Sequence, residues 1–175
     1  MKKLLILSIL TSYLTSITFL SNAEEINCNK LFLDLENGTL NKIGLSASEK
    51  DIKTSFSCVN EEVKMGKQKS IFFNENGFSI TLGERITVYD SFFSFTGKIS
   101  ENLFKKNYSD IEKILGKPKY SIYRKVTEDK IETHNLYDKS YGTLDIKFTY
   151  GSQPLVERVS IWSYKSEKVK KLLGK

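Results

Sequence analysis

Few residues in this chain are equipped for chemistry. His134 is the only histidine, so a Ser-His-Asp or Cys-His site would have to be built on it. It stands in Ile131-Glu132-Thr133-His134-Asn135-Leu136, which reads as the middle of a strand, and no Gly-x-Ser-x-Gly turn precedes it. That setting suits a surface or hairpin histidine better than a general base. Cys28 and Cys58 are the only cysteines. With no histidine beside them they make a poor zinc site. In an exported chain two cysteines pair, and closing a loop of about 30 residues contributes roughly 3 kcal/mol in the chain-entropy model. Asp34 with Glu36, and Glu61 with Glu62, are neighbouring acids. Such pairs are ordinarily solvated, whereas a glycosidase needs two carboxylates on opposite sides of a sugar. The ten glycines are scattered at turns and form no phosphate-cradling loop. The expectation is a chain with no catalytic residue, no cofactor and no metal.

Export is read from the first 23 residues. Lys2 and Lys3 give a positive start, Leu4 to Leu20 is a run of apolar and hydroxyl residues, and Ser21-Asn22-Ala23 has the small residues of a cleavage site. This is the layout of a secretory signal peptide cleaved after Ala23. A spanning helix needs about 20 apolar residues, and here Ser8, Thr11, Ser12, Thr15, Ser16 and Thr18 interrupt the run. Cys28 follows Glu25-Ile26-Asn27, which is not a lipid-acceptor box. The expectation is a periplasmic protein with no membrane span once the signal is removed.

The whole chain carries a formal charge of +6, and losing Lys2 and Lys3 lowers that by two. Both signs are interspersed apart from the lysine-rich Lys165–Lys175, which reads as a solvated helix face. Nucleic acid would require a basic face interleaved with aromatics, so it is not the expected ligand. A mildly basic surface favours an acidic protein partner.

The elements that must position these residues repeat at an offset of 59. Gly38 meets Gly97, Leu40 meets Ile99, Asp51 meets Asp110, Ile52 meets Ile111 and Phe56 meets Leu115. Ser46 or Ser48 caps the first short helix, and Asn107 or Ser109 caps the second. Gly116 and Pro118 end the second. Strands follow each helix. Ser70–Asn74 and Gly77–Leu82 flank an Asn-Gly hairpin signal, and Arg85–Phe95 makes a long aromatic strand. Tyr120–Val126, Ile131–Asp138, Tyr141–Phe148 and Val156–Tyr164 follow, and a short helix closes at Ser166–Leu173. The fold class is α+β, with two tandem modules, each a short helix packed on an antiparallel β-meander. Residues 24–96 form the first module, and residues 97–175 the second with the C-terminal helix. The two sheets can join into one, with the helices on one face and surplus aromatics on the other.

The second module resembles a known pattern. Ser109-Asp110-Ile111-Glu112-Lys113-Ile114-Leu115-Gly116-Lys117-Pro118 is a helix ending in Leu-Gly-x-Pro, followed by Tyr141-Gly142-Thr143-Leu144-Asp145-Ile146-Lys147-Phe148 and another strand. This order is similar to the helix-plus-meander module of β-lactamase-inhibitory proteins and of the small lipoprotein of the outer-membrane barrel-assembly complex. It covers residues 97–164 and, more loosely, 38–95. Ser57-Cys58 stands where a Gly-x-Pro would be expected in the first module, and the lipid-accepting cysteine is missing. The resemblance implies a protein-binding module rather than an enzyme, although one fold hosts many functions.

The aromatics nominate the contact residues. Exposed Tyr, Phe and Trp are typical interface anchors, which selects Tyr89 and Phe93 in the first half, and Tyr120, Tyr123, Trp162 and Tyr164 in the second. Arg124 and Arg158 supply charge at the rim. The expected function is that of an exported, non-enzymatic protein-binding module, an inhibitor or immunity-type protein that neutralises another protein. A cell-envelope assembly accessory protein and a small wall or glycan hydrolase are the alternatives.

Overall fold

The computed structural model describes residues 27–28, 30–90, 94–128 and 130–174. The signal-peptide expectation for residues 1–23 and the anchor Phe93 lie outside them. Helix α1 spans Glu49–Ser55 and forms where the local chemistry demands it. The Ser48 side chain accepts from the Asp51 backbone N–H, while the Asp51 carboxylate accepts from the Ser48 N–H, which satisfies two of the helix's orphan donors. Helix α2, Tyr108–Leu115, is capped the same way by Asn107, whose side chain accepts from Asp110 N–H. It stops at Gly116, whose φ of +78° suits glycine. Each helix buries one isoleucine, Ile52 or Ile111, in the core.

Strands β1 (Phe32–Asp34), β2 (Thr39–Leu40), β3 (Ile43–Gly44), β4 (Glu61–Met65), β5 (Gln68–Phe73), β6 (Phe78–Thr81), β7 (Arg85–Tyr89), β8 (Lys98–Ile99), β9 (Tyr120–Thr127), β10 (Lys130–Lys139), β11 (Gly142–Phe148) and β12 (Val156–Trp162) make two sheets. The small sheet has the order β3-β2-β1-β8, with β1 and β8 parallel and its other pairs antiparallel. The large one is an eight-stranded antiparallel sheet of order β4-β5-β6-β7-β12-β11-β10-β9. Two meanders thus meet at one seam, β7 against β12, where Val88 faces Val159 and Ile86 faces Ile161. The protein is α+β, with three α-helices among the described residues.

Alternation divides the large sheet into two faces. Ile71, Phe73, Phe78, Ile80, Ile86, Val88, Leu144, Ile146, Phe148, Val159 and Ile161 point to the first face. There they pack with Ile52, Ile111 and the small sheet's Leu33 and Leu40 in one continuous core. Phe73 and Phe78 stack with ring centroids 4.2 Å apart. At the β4 end, α1 is tied to the sheet by alternating charges. Lys69 bridges Glu49 and Glu62, and Lys53 does the same. Lys53 and then Lys69 hold the Glu49 carboxyl down at about 2.

The structure differs from the sequence expectation in four places. Helix α3, Ser166–Leu173, packs on the second face, not beside α1 and α2. Its Val169 and Leu173 bury Ile122, Leu136 and Trp162 there. The long aromatic strand stops at Tyr89, where the Phe95 N–H donates to the Tyr89 carbonyl at 2.7 Å and closes the chain into a loop. Edge strand β4 and the small sheet were not foreseen. The cysteines do pair as expected, with Cys28 joined to Cys58 at a Cα separation of 5.7 Å.

Candidate functional site on the second sheet face

The second face begins as a floor of small hydroxyl residues. Ser79, Thr87 and Ser160 stand in one row across β6, β7 and β12, and Asp145 of β11 continues the row. Thr87 and Ser160 hydroxyls bond each other across the seam at 3.1 Å. The next row holds Trp162 opposite Arg85, and the row on the other side holds Arg158 opposite Tyr89. Two arginines on neighbouring central strands therefore flank one hydroxyl floor.

Beneath them lies a buried polar knot. Asp145 has no solvent exposure. Its Oδ1 lies 2.8 Å from His134 Nδ1, and its Oδ2 accepts from Trp162 Nε1 at 3.3 Å. Burial opposes the Asp145 charge, but the hydrogen bond and charge of His134, helped by Arg158 and Trp162, hold its carboxyl below the ordinary value. The other imidazole nitrogen, Nε2, faces Glu132 at 3.8 Å. Glu132 and Glu157 both grip Lys147, at 2.8 and 2.7 Å. Glu157 reaches it because a bulge in β12 leaves that residue without a partner between Val156 and Arg158.

Each guanidinium keeps one unsatisfied donor. The Nε atoms of Arg85 and Arg158 are buried and have no hydrogen-bond partner among the described residues. Arg85 lies over the Trp162 ring, 4.5 Å from its centroid, a cation–π contact. Burial, and then the neighbouring charge of Arg158, pull the Arg85 pKa below its ordinary value.

The sequence-nominated residues are distributed unevenly around this centre. Tyr89 is half-buried within it, its hydroxyl 3.0 Å from Ser79 Oγ. Trp162 is only 3% exposed, so its ring is a platform under Arg85 and not a free-standing anchor. Tyr164 and Tyr120 belong to the α3 end of the same face. Lys168 lies 3.3 Å from the Tyr164 ring centroid, and the Tyr120 hydroxyl donates to Glu167 at 2.6 Å. Arg124 is exposed on β9 in register with Glu132. Tyr123, 70% exposed, alternates to the first face, away from the rest. His134, expected near the surface, is 1% exposed. Sequence reasoning passed over Arg85, Asp145 and His134 as a group. The available signal was the alternation Arg85-x-Thr87-x-Tyr89 and Arg158-x-Ser160-x-Trp162, polar residues sharing one face of otherwise apolar strands.

Comparison of the chain with protein-family models, with curated proteins and with solved structures finds no match. Among the described residues, no group of three or more His, Cys, Asp or Glu side chains is placed to hold a metal ion. No described helix is long and apolar enough to cross a membrane.

Proposed function

We propose that this chain is an exported, non-enzymatic protein-binding module of the periplasm, an inhibitor or immunity-type protein that neutralises another protein through the second face of its large sheet. The observation that carries the reading is the pair of half-buried guanidiniums whose Nε donors have no partner. A desolvated guanidinium incompletely matched by its own chain is costly, and a partner's carboxylate reaching its exposed part offsets that cost. The half-exposed Tyr89 and Phe72 beside them are the aromatic type that anchors interfaces. His134 does not offer a hydrolase geometry, because Nε2 faces a carboxylate where a nucleophile's hydroxyl would belong. The Cys28–Cys58 disulfide fits an oxidising compartment, in keeping with a signal peptide on residues 1–23.

The scaffold of this reading is two tandem modules, residues 24–96 and 97–175. The offset of 59 relates the caps Ser48 and Asn107, the third helical residues Asp51 and Asp110, and the buried Ile52 and Ile111. Each helix precedes four strands that run as a meander. Joining two such units edge to edge produces a face broad enough for a protein partner.

The test is affinity capture of the mature, disulfide-bonded protein's partner from its own periplasm, followed by cross-linking of the purified pair. The expected result is one stoichiometric protein whose cross-links fall on Lys165 and Lys168, on the α3 side. An empty eluate, or cross-links confined to Lys50 and Lys113 on the α1 and α2 side, overturns the proposal.

A further inference from the structure

We infer that Arg85 and Arg158 together receive a single carboxylate, an Asp or Glu side chain presented by the partner protein; this rests on the protein-binding reading above and names the chemistry of its central contact. Both arginines rise from the same face of adjacent strands, one on each side of the Thr87–Ser160 floor. Both keep a buried Nε without an acceptor. The local carboxylates are engaged elsewhere. Asp145 is held by His134 and Trp162, Glu132 by Lys147 and Tyr150, Glu157 by Lys147, and Glu84 by Gln68 and Tyr164. Two like charges thus share one face near Asp145 and Glu84, yet among the described residues no acid accepts from either Nε. A guanidinium presents a planar fork of donors that matches a carboxylate. The Trp162 ring holds the Arg85 group by a cation–π contact, which consumes none of its hydrogen-bond donors.

A carboxylate fits better than a phosphate. A dianion would want further donors, but Lys147 is spent on Glu132 and Glu157, and the four acids nearby would repel the second charge. A protein side chain fits better than a small free acid. Around the arginines the face is a broad sheet surface rimmed by aromatics, whereas a cavity of about 550 Å³ lies at the α3 end of the face, between α3 and β9, lined by Ile122, Glu167, Lys170 and Lys171.

The experiment is a titration of the mature, disulfide-bonded protein followed by nuclear magnetic resonance at the arginine Nε–Hε signals. Arg85→Lys and Arg158→Lys assign the two signals. The probes are a capped tri-glutamate peptide, its tri-glutamine counterpart and inorganic phosphate. The expected result is that tri-glutamate moves both signals along one saturating curve at millimolar concentrations while tri-glutamine moves neither. Arg158→Ala weakens the peptide at least about tenfold, and Lys170→Ala with Lys171→Ala leaves it unchanged. Silence of both signals in the unmutated protein overturns the inference, as does phosphate binding more tightly than tri-glutamate. A captured partner that cross-links on this face while the titration is silent removes the carboxylate subsite and leaves the protein-binding reading standing. A positive titration with an empty capture does the reverse.

Discussion

Asp145 is a carboxylate with no solvent exposure at all on the second face. His134, Trp162 and the charge of Arg158 all lean on its carboxylate. Removing the charge leaves a buried imidazole and two guanidiniums uncompensated, and breaking such a buried pair typically costs about 3–5 kcal/mol. Asp145→Asn should therefore lower unfolding free energy by about 3 kcal/mol at neutral pH. The pH dependence follows from the direction of the shift. The folded Asp145 pKa lies below its ordinary 3.8, so its contribution is present above that value and is lost as pH falls through the lower, folded one. Urea titrations at several pH values should show the gap between native and Asp145→Asn protein narrowing below about pH 4. A gap that stays constant into strong acid would mean that the carboxylate is not held as a charge. The same knot helps to position Arg85. The indole that carries Arg85 is itself bonded to Asp145.

At the scale of elements, the short helices depend on their caps. Ser48 serves a seven-residue helix and Asn107 an eight-residue one, lengths that are marginal without capping and packing. Ser48→Ala and Asn107→Ala should each cost about 1 kcal/mol, read from denaturant midpoints at unchanged slope. A negligible effect at both would show that packing alone holds these helices. Helix α3 is held differently. No side chain caps it, and it stays through Val169, Leu173, the Tyr120–Glu167 bond and the Ser166–Asp138 bond at 2.5 Å. Ending the chain after Lys165 should leave the strands folded, because the first-face core contains no α3 residue. It should also shift Trp162 fluorescence to the red as that ring meets water. These differences also say what could be read from the sequence. Cap and buried isoleucine lie within four residues of each other, so α1 and α2 were legible, as was the Asn-Gly hairpin that closes through Gly77 at φ +66°. Strand β4 was not, since Glu61-Glu62-Val63-Lys64-Met65 has only Val63 partly buried and draws its order from β5. In the sequence Phe92, Phe93 and Phe95 prolong the strand pattern, whereas β7 ends at Tyr89 and the Phe95 N–H donates to the Tyr89 carbonyl, a backbone bond that no side-chain pattern announces. The side that α3 takes was hidden for the same reason, because a periodic apolar stripe says that a face is buried and not against what. The site was the least legible part. Alternation orients Arg85 on one strand and Arg158 on another, but only the seam, which sets Arg85 opposite Trp162 and Arg158 opposite Tyr89, places them on either side of Thr87 and Ser160.

That seam decides how the whole molecule unfolds. The two meanders share a single strand pair, β7 with β12, which taken alone would let the halves melt separately. The core argues otherwise. One cluster runs from Leu31 and Phe56 through Ile86 and Val88 to Leu144, Ile146 and Phe148 without a break at the seam, so neither half can expose its apolar face without stripping the other. The disulfide adds to the same unit by fixing Cys28 to Cys58 across a separation of 30 residues. A single cooperative transition is expected, and the protein carries its own probe. Trp162, the only tryptophan, stands on the seam strand opposite Arg85, while far-ultraviolet circular dichroism reports all strands. Thermal curves by the two methods should coincide. Reduction of the disulfide should lower both midpoints together by about 10 °C, from roughly 3 kcal/mol of lost constraint. Separate midpoints, or a reduction that moves the dichroism and spares Trp162, would show two cooperative units. The second sheet face would then be an assembly of independently stable halves, and the fixed spacing of Arg85 and Arg158 across the seam would need another support.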